Sequence, residues 1–233
     1  MRYLLWTICL AMLLVASELV SRPLLPVDET RYMSVAWEAH VRGDSLVSHL
    51  NSETYAHKPP LLFWLINAVW SMTGLNEYAA RLVAPAAGIV CILLTAMMAR
   101  RLWPESVAFI RCAPMMLASM SLWIVFCPVT MFDTLLTCCT MLALLGVLGA
   151  ASRAGLTGWL IAGIAMGLSI LSKGPVVLVH VLPAALLAPW WSMRVRTRFV
   201  RWYAGCLFAI TIAATVPAVI DPDGTSFRNR PGR

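Results

Sequence analysis

The sequence predicts an all-α polytopic membrane protein of about seven transmembrane helices, with juxtamembrane helices in its first outer loop. Three observations carry this. Hydrophobic residues make up 60% of the 233 and charged residues only 12%, with a mean hydropathy of +0.78, whereas a soluble domain is nearer a quarter charged. Apolar runs long enough to cross a bilayer recur along the chain. The charges also sort, arginine gathering in some of the turns between runs and carboxylates in the others, as the positive-inside bias requires. The net charge of +7 therefore speaks to topology. No basic stretch with interleaved aromatics stands outside such a turn, so no nucleic-acid partner is expected.

The first run, Tyr3 to Val20, reads as a retained helix with Arg2 on the cytoplasmic side. A signal peptide cleaved near Val15-Ala16-Ser17 is the alternative. An outer loop follows over residues 21–81. Within it, Val27 to Arg42 has a loose apolar stripe of Tyr32, Val35, Ala36 and Ala39, opposed by Arg31, Glu38 and Arg42, which predicts a helix lying at the membrane surface. Asp28 stands where it can cap that helix, and Gly43-Asp44-Ser45 breaks it. Pro59 to Thr73 is apolar but short, and reads as interfacial or re-entrant.

The remaining spans are expected at about 82–99, 107–127, 132–151, 158–171, 176–191 and 203–220. Together with 3–20 they make one membrane module over residues 1–220, with the N-terminus inside. Arg100-Arg101, Arg153 and the cluster of Arg194, Arg196, Arg198 and Arg201 mark the inner turns. Of the eleven carboxylates, all but Glu105 fall at the outer face or its edge. The seven cysteines lie in apolar runs without metal spacing and read as small buried hydrophobes. His180 reads as a packed neutral histidine inside a span. Residues 221–233 are abruptly polar and unpatterned, and are expected to be a disordered tail and a truncation point.

On this topology the outer face collects Asp28, Glu29, Arg31, Tyr32, His57, Lys58, Arg81, Asp133 and Lys173. Each has two readings. Asp28 and Asp133 are helix N-caps or functional carboxylates near membrane depth. Lys58 is a snorkelling lysine or, aimed by the two prolines after it, a phosphate contact. Lys173, in Ser-Lys-Gly-Pro, shares that pair of readings. Arg81 follows Glu77 by four residues, so a helical ion pair is its plain explanation.

The order of these motifs is also familiar. Asp28-Glu29-Thr30-Arg31-Tyr32 is followed by His57-Lys58-Pro59-Pro60-Leu61 with Trp64, Glu77-Tyr78-Ala79-Ala80-Arg81-Leu82, Met131-Phe132-Asp133-Thr134 and Leu171-Ser172-Lys173-Gly174-Pro175. This set resembles the bacterial aminoarabinose transferases and the related protein O-mannosyltransferase-like glycosyltransferases of the GT-C class. The resemblance implies a catalytic membrane module and a polyprenyl-phosphate-linked sugar as donor and partner. It implies Asp28 as catalytic carboxylate, and Lys58, Lys173 and Arg81 as donor-phosphate contacts. Glu29, Arg31, Tyr32, His57 and Asp133 would support them. It further implies an inverting transfer at the outer, periplasmic face of the cytoplasmic membrane, to a lipid, glycan or protein. Relatives of this type continue beyond the length of this chain. A divalent cation between Asp28 and Asp133 is one further reading. A transporter or flippase of lipid-linked anions, and a non-catalytic remnant, are the alternatives from other classes.

Overall fold

The computed structural model describes residues 2–43, 46–55, 57–153 and 155–220. The tail expected from Asp221, and Asp44-Ser45 in the expected helix break, lie outside them. The chain forms two compact units, the first running to Cys138 and the second beginning at Cys139.

The first unit opens with helix α1 (Arg2–Ser21). Nothing within it breaks a helix, and Pro23 and Pro26 keep it from continuing. Helix α2 (Asp28–Arg42) buries Tyr32, Met33, Val35, Ala36 and Ala39, so the predicted stripe is its packed face. Gly43 ends it at φ 67°, a left-handed conformation that glycine adopts without penalty. A two-stranded antiparallel hairpin follows, β1 (His49–Leu50) with β2 (Glu53–Thr54), an addition to the all-helical expectation. Its two turn residues, Asn51 and Ser52, both have positive φ. Glu38 accepts the backbone N–H of Ser52 at 3.2 Å and ties the hairpin to α2.

Helix α3 (Leu61–Thr73) starts after Pro59-Pro60 and packs Leu62, Phe63, Ile66 and Trp70 inward against α2 and α5. Asn76 caps the short α4 (Glu77–Arg81), which leads into α5 (Val83–Leu102). The stretch expected as a single span over 107–127 is instead two helices, α6 (Val107–Ser119) and α7 (Ser121–Phe126). Met120 between them is extended at φ −65°, ψ 130°. At the break the Ser119 hydroxyl bonds the Met116 carbonyl at 3.1 Å, in competition with the helical ladder. Helix α8 (Phe132–Arg153) then begins, and the boundary between the units falls within it.

The first unit has chemically distinct ends. At one, the Arg111 guanidinium lies 6.0 Å from the Tyr3 ring, beside the starts of α6 and α1. At the other, Arg81 Nη2 donates to the Arg22 carbonyl at 3.0 Å, joining the end of α1 to the start of α5.

In the second unit, α9 (Leu156–Lys173) meets α8 backbone to backbone. A Cβ placed on Gly158 would stand 2.5 Å from the Ala150 nitrogen, and one on Gly146 would stand 2.7 Å from the Gly158 oxygen. Gly146-xxx-Ala150 and Gly158-xxx-Ala162 are thus the small-residue pattern that lets membrane helices touch. The other face of α9 receives α13 (Phe199–Ile220) at Gly163 and Gly167. Between them lie α10 (Val176–Leu186), α11 (Ala188–Trp191) and α12 (Met193–Arg196). Pro183 and this sequence of short helices interrupt the span expected at 176–191. His180 departs from its expected packed position: it is exposed, with Nδ1 3.0 Å from the carbonyl of Val176 one turn back.

Among the described residues, five helical stretches are long and apolar enough to cross a membrane: Tyr3–Ser21, Glu77–Leu102, Phe132–Ser152, Leu156–Lys173 and Phe199–Val219. The stretches 107–127 and 176–191 contribute only shorter apolar helices.

One buried charge holds the polar end of the first unit together. The Glu29 side chain is 0% exposed. Its Oε2 accepts from the Leu25 backbone at 2.8 Å and from Arg22 Nη1 at 2.9 Å. Its Oε1 accepts the Thr130 backbone N–H at 2.7 Å, from 101 residues away. Burial works against the charge, but the two backbone donors and the guanidinium outweigh it and hold the carboxyl below its ordinary value.

Two outcomes follow. Glu29→Ala leaves the Leu25 and Thr130 backbone N–H groups without an acceptor and takes from the half-buried Arg22 one of its two carboxylates, and should lower stability by about 3–5 kcal/mol, read by unfolding of the detergent-solubilised protein. The carboxylate is depressed below its ordinary 4.5. Its contribution is therefore complete above that value and lost as pH falls through the depressed one, so the gap between wild type and variant should be flat at neutral pH and close on acidification. Gly158→Val should force α8 and α9 apart, costing about 1–3 kcal/mol in the same measurement.

Candidate active site

Pro26-Val27-Asp28 makes a turn of unusual geometry. Val27 has φ 75° and ψ −55°, and the Asp28 N–H donates to the Pro26 carbonyl at 3.0 Å. This is a γ-turn of the rare, positive-φ hand, which a β-branched residue tolerates only under constraint. Such strain is of order 1–3 kcal/mol and gathers at functional sites. Here the constraint is Glu29, two residues on, whose carboxylate grips the chain on both sides of the turn.

The turn sets the roles of the two neighbouring acids. Val27 takes the cap position with no side-chain cap bond, and Asp28 is the first helical residue, so the expectation that Asp28 caps the helix is corrected. Glu29 points inward while the Asp28 carboxylate remains 47% exposed, with Arg31 Nη2 at 3.8 Å. That pair is long and wet, worth a few tenths of a kcal/mol. Asp28 therefore keeps a carboxylate free to meet a ligand.

Tyr32, one turn on, is the hub of an aromatic cluster. Its ring meets Phe132 edge to face at 5.0 Å, and Phe132 meets Phe63 in the same way at 5.5 Å. Tyr55 packs on Phe63 at 6.4 Å, and His57 on Tyr55 at 5.3 Å. The Lys58 ammonium lies 5.9 Å from the Phe132 centroid, a cation–π distance. Lys58 precedes Pro59 and Pro60, both buried, which restrict its backbone to extended conformations. Asp133 follows Phe132 directly and is exposed. Burial first, then the charge of Asp28 and more weakly that of Asp133, push the Tyr32 hydroxyl up from its ordinary value, so it stays a protonated donor. Asp28, Tyr32, Lys58 and Asp133 thus share one neighbourhood. Beside Asp133, a groove of about 570 Å³ runs between Leu117, Trp123, Phe126, Met131 and Thr137. Asp133 is its one charged lining residue.

Arg81 makes the ion pair that its spacing from Glu77 announced. It is 2% exposed, with Nη1 3.4 Å from Glu77 and Nη2 on the Arg22 carbonyl. It closes the joint between α1 and α5. Lys173 ends α9 in the second unit, half-buried, before Gly174 at φ 79°. Two contributors escaped the sequence reading. Arg22 was signalled by its spacing of four from Glu18, which it pairs with at 3.0 Å. Thr130 acts through its backbone and had no signal. Among the described residues no three His, Cys, Asp or Glu side chains stand together. Asp28 and Asp133, the pair considered for a divalent cation, supply two carboxylates and no third ligand of these types.

Comparison with known proteins places the chain among relatives. Curated relatives named undecaprenyl phosphate-alpha-4-amino-4-deoxy-L-arabinose arabinosyl transferase occur in Pseudomonas paraeruginosa and Pseudomonas fluorescens. The first is 28% identical over 194 residues, the second 30% over 196; each alignment covers 82% of this chain and 35% of the relative. The relative in Erwinia tasmaniensis is 28% identical over 183 residues, covering 74% and 32%. The chain thus spans about a third of the length of the curated relatives it matches. Two crystal structures of ArnT from Cupriavidus metallidurans share the fold. The apo form superimposes with a TM-score of 0.72 at 23% identity, over 100% of this chain and 45% of that one. The form bound to undecaprenyl phosphate gives 0.73 at 24%, over 98% and 43%. The model of the dolichyl-phosphate-mannose-protein mannosyltransferase family matches residues 57–219, from the Lys58 turn through the last described helix, and the chain belongs to that family.

Proposed function

We propose that this chain is the membrane module of a glycosyltransferase that takes its sugar from a polyprenyl-phosphate donor. It works at the outer, periplasmic face of the bacterial inner membrane, and the acceptor is a lipid, glycan or protein. The observation that carries this reading is the Tyr32–Phe132–Lys58 stack. It holds a cation beside Asp133, in the neighbourhood of a half-exposed Asp28. The names of the relatives favour undecaprenyl phosphate bearing an aminodeoxy pentose as the donor class. The apolar groove beside Asp133 suits the isoprenoid tail of such a donor.

In this mechanism the acceptor oxygen attacks the anomeric carbon as the bond from that carbon to the lipid phosphate breaks. The bonding pair leaves with the phosphate, and a single displacement inverts the centre. Asp28 takes the proton of a hydroxyl acceptor; for a phosphate acceptor, already ionised, it orients the nucleophile. Lys58 stabilises the charge that develops on the departing polyprenyl phosphate, and Lys173 is assigned the same task. Tyr32, kept protonated, donates a hydrogen bond at the site. Glu29, Arg22 and Arg81 hold the frame.

The test uses membranes containing the chain and a labelled polyprenyl-phosphate sugar. Asp28→Asn should lower transfer by roughly 10²–10⁴-fold while membrane insertion is unchanged. Near-normal transfer removes Asp28 from the reaction. Lys58→Ala should raise the donor KM and lower kcat with the acceptor KM unmoved; unchanged donor kinetics would remove Lys58 from the phosphate.

A further inference from the structure

We propose that the second unit carries a binding site for the headgroup of an anionic phospholipid, separate from the sugar-transfer site. A pocket of about 330 Å³ is lined by Ser152, Trp159, Arg194, Arg198, Arg201 and Trp202. It is built rather than incidental. Arg194 Nη1 donates to the Ser152 carbonyl at 2.9 Å, fixing one wall against the end of α8. The Trp159 and Trp202 rings meet at 4.6 Å, and Trp202 Nε1 donates to the Ala185 carbonyl at 2.8 Å.

The pocket lacks a counter-charge of its own. Between Asp133 and Asp221 the sequence contains no Asp or Glu. Among the described residues, Arg194, Arg198 and Arg201 enter no ion pair, and all three are exposed. Two of them are also placed against the local field. Arg198 precedes the first residue of α13 and Arg201 lies in its first turn, where the helix dipole and the free N–H groups favour negative charge. Three guanidinium groups around one pocket, two of them at a helix start, with no carboxylate lining it, are stable where an anion joins them. Guanidinium forks match phosphate oxygens two at a time.

The source of the phosphate is the membrane. Trp159 and Trp202, both buried, make a rigid apolar floor, and Phe199 and Val200 beside the pocket are exposed and apolar, as a surface for acyl chains is. Basic pockets between helix ends hold acidic headgroups by this chemistry. The pocket stands at the Leu156 end of α9. Lys173 ends the same helix 14 residues beyond Trp159, about 21 Å away at 1.5 Å per residue. The pocket and Lys173 thus stand at opposite ends of α9, and the pocket does not depend on the glycosyltransferase reading.

Native mass spectrometry of the detergent-purified chain tests it. Phosphatidylglycerol should be retained in preference to phosphatidylethanolamine. Arg198→Gln and Arg201→Gln should each weaken phosphatidylglycerol binding about fivefold. Arg196→Gln removes the same charge from the same segment but lies outside the pocket, and should leave binding unchanged. Equal retention of the two lipids overturns the proposal, as does an equal loss on Arg196→Gln, which would mark a diffuse charge effect. Competition on the wild type keeps the test sound should the glutamine variants fold poorly. Excess glycerophosphoglycerol should displace the lipid. Failure to displace it, or equal displacement by inorganic phosphate, overturns a phospholipid headgroup site.

Discussion

The structure of the first unit depends on a buried carboxylate. Taking Glu29 out of water is expensive, and its stability there rests on full satisfaction of both oxygens. Its three partners come from the end of α1 through Arg22, the turn before α2 through Leu25, and the loop before α8 through Thr130. Hydrogen bonds to a charged group are worth about 1.5–3 kcal/mol each, roughly twice a neutral one. They fix where α2 starts, and so which way Asp28 faces. Arg81 reinforces the same joint by donating to the Arg22 carbonyl.

The frame explains how two adjacent acids come to have different environments. Successive helical residues are turned by about 100°, so orienting Glu29 into the protein turns Asp28 towards its edge. The positive-φ turn at Val27 accommodates the chain between the Leu25 contact and the helix. Its strain is offset by the bonds that Glu29 makes on either side. The same frame supports the aromatic cluster. Tyr32 lies on the α2 face that Glu29 orients, and Phe132 lies two residues after Thr130, so their contact depends on the same anchor.

The two fates of Asp28 and Glu29 were not legible in the sequence, where both were acids beside a helix start. What separates them is a contact across 101 residues, which local pattern does not encode. The α2 face was legible, because Tyr32, Val35, Ala36 and Ala39 repeat at helical spacing and all are buried. Lys58 stood out through the prolines that aim it, but its approach to Phe132 did not. For Arg81 the spacing from Glu77 announced the ion pair, and the structure adds the Arg22 carbonyl that buries it. The break at Met120 was hidden because an apolar stretch reads alike whether it is one helix or two. The hairpin was hidden because Asn51-Ser52 lacks the glycine that marks the tightest turns.

Charge is distributed differently in the second unit. Its α8–α9 crossing relies on glycine and alanine backbones in contact, as in proteins whose helices associate without a hydrophobic driving force between them. Small residues leave no room for side-chain ion pairs at the crossing, and among the described residues of this unit there is no Asp or Glu to pair elsewhere. The arginines before and within the first turn of α13 must find anions outside the sequence around them. A basic segment of this kind is usually read as a topology signal alone. The concave arrangement of Arg194, Arg198 and Arg201 over two packed tryptophans goes further, since a topology signal requires only charge and no particular shape.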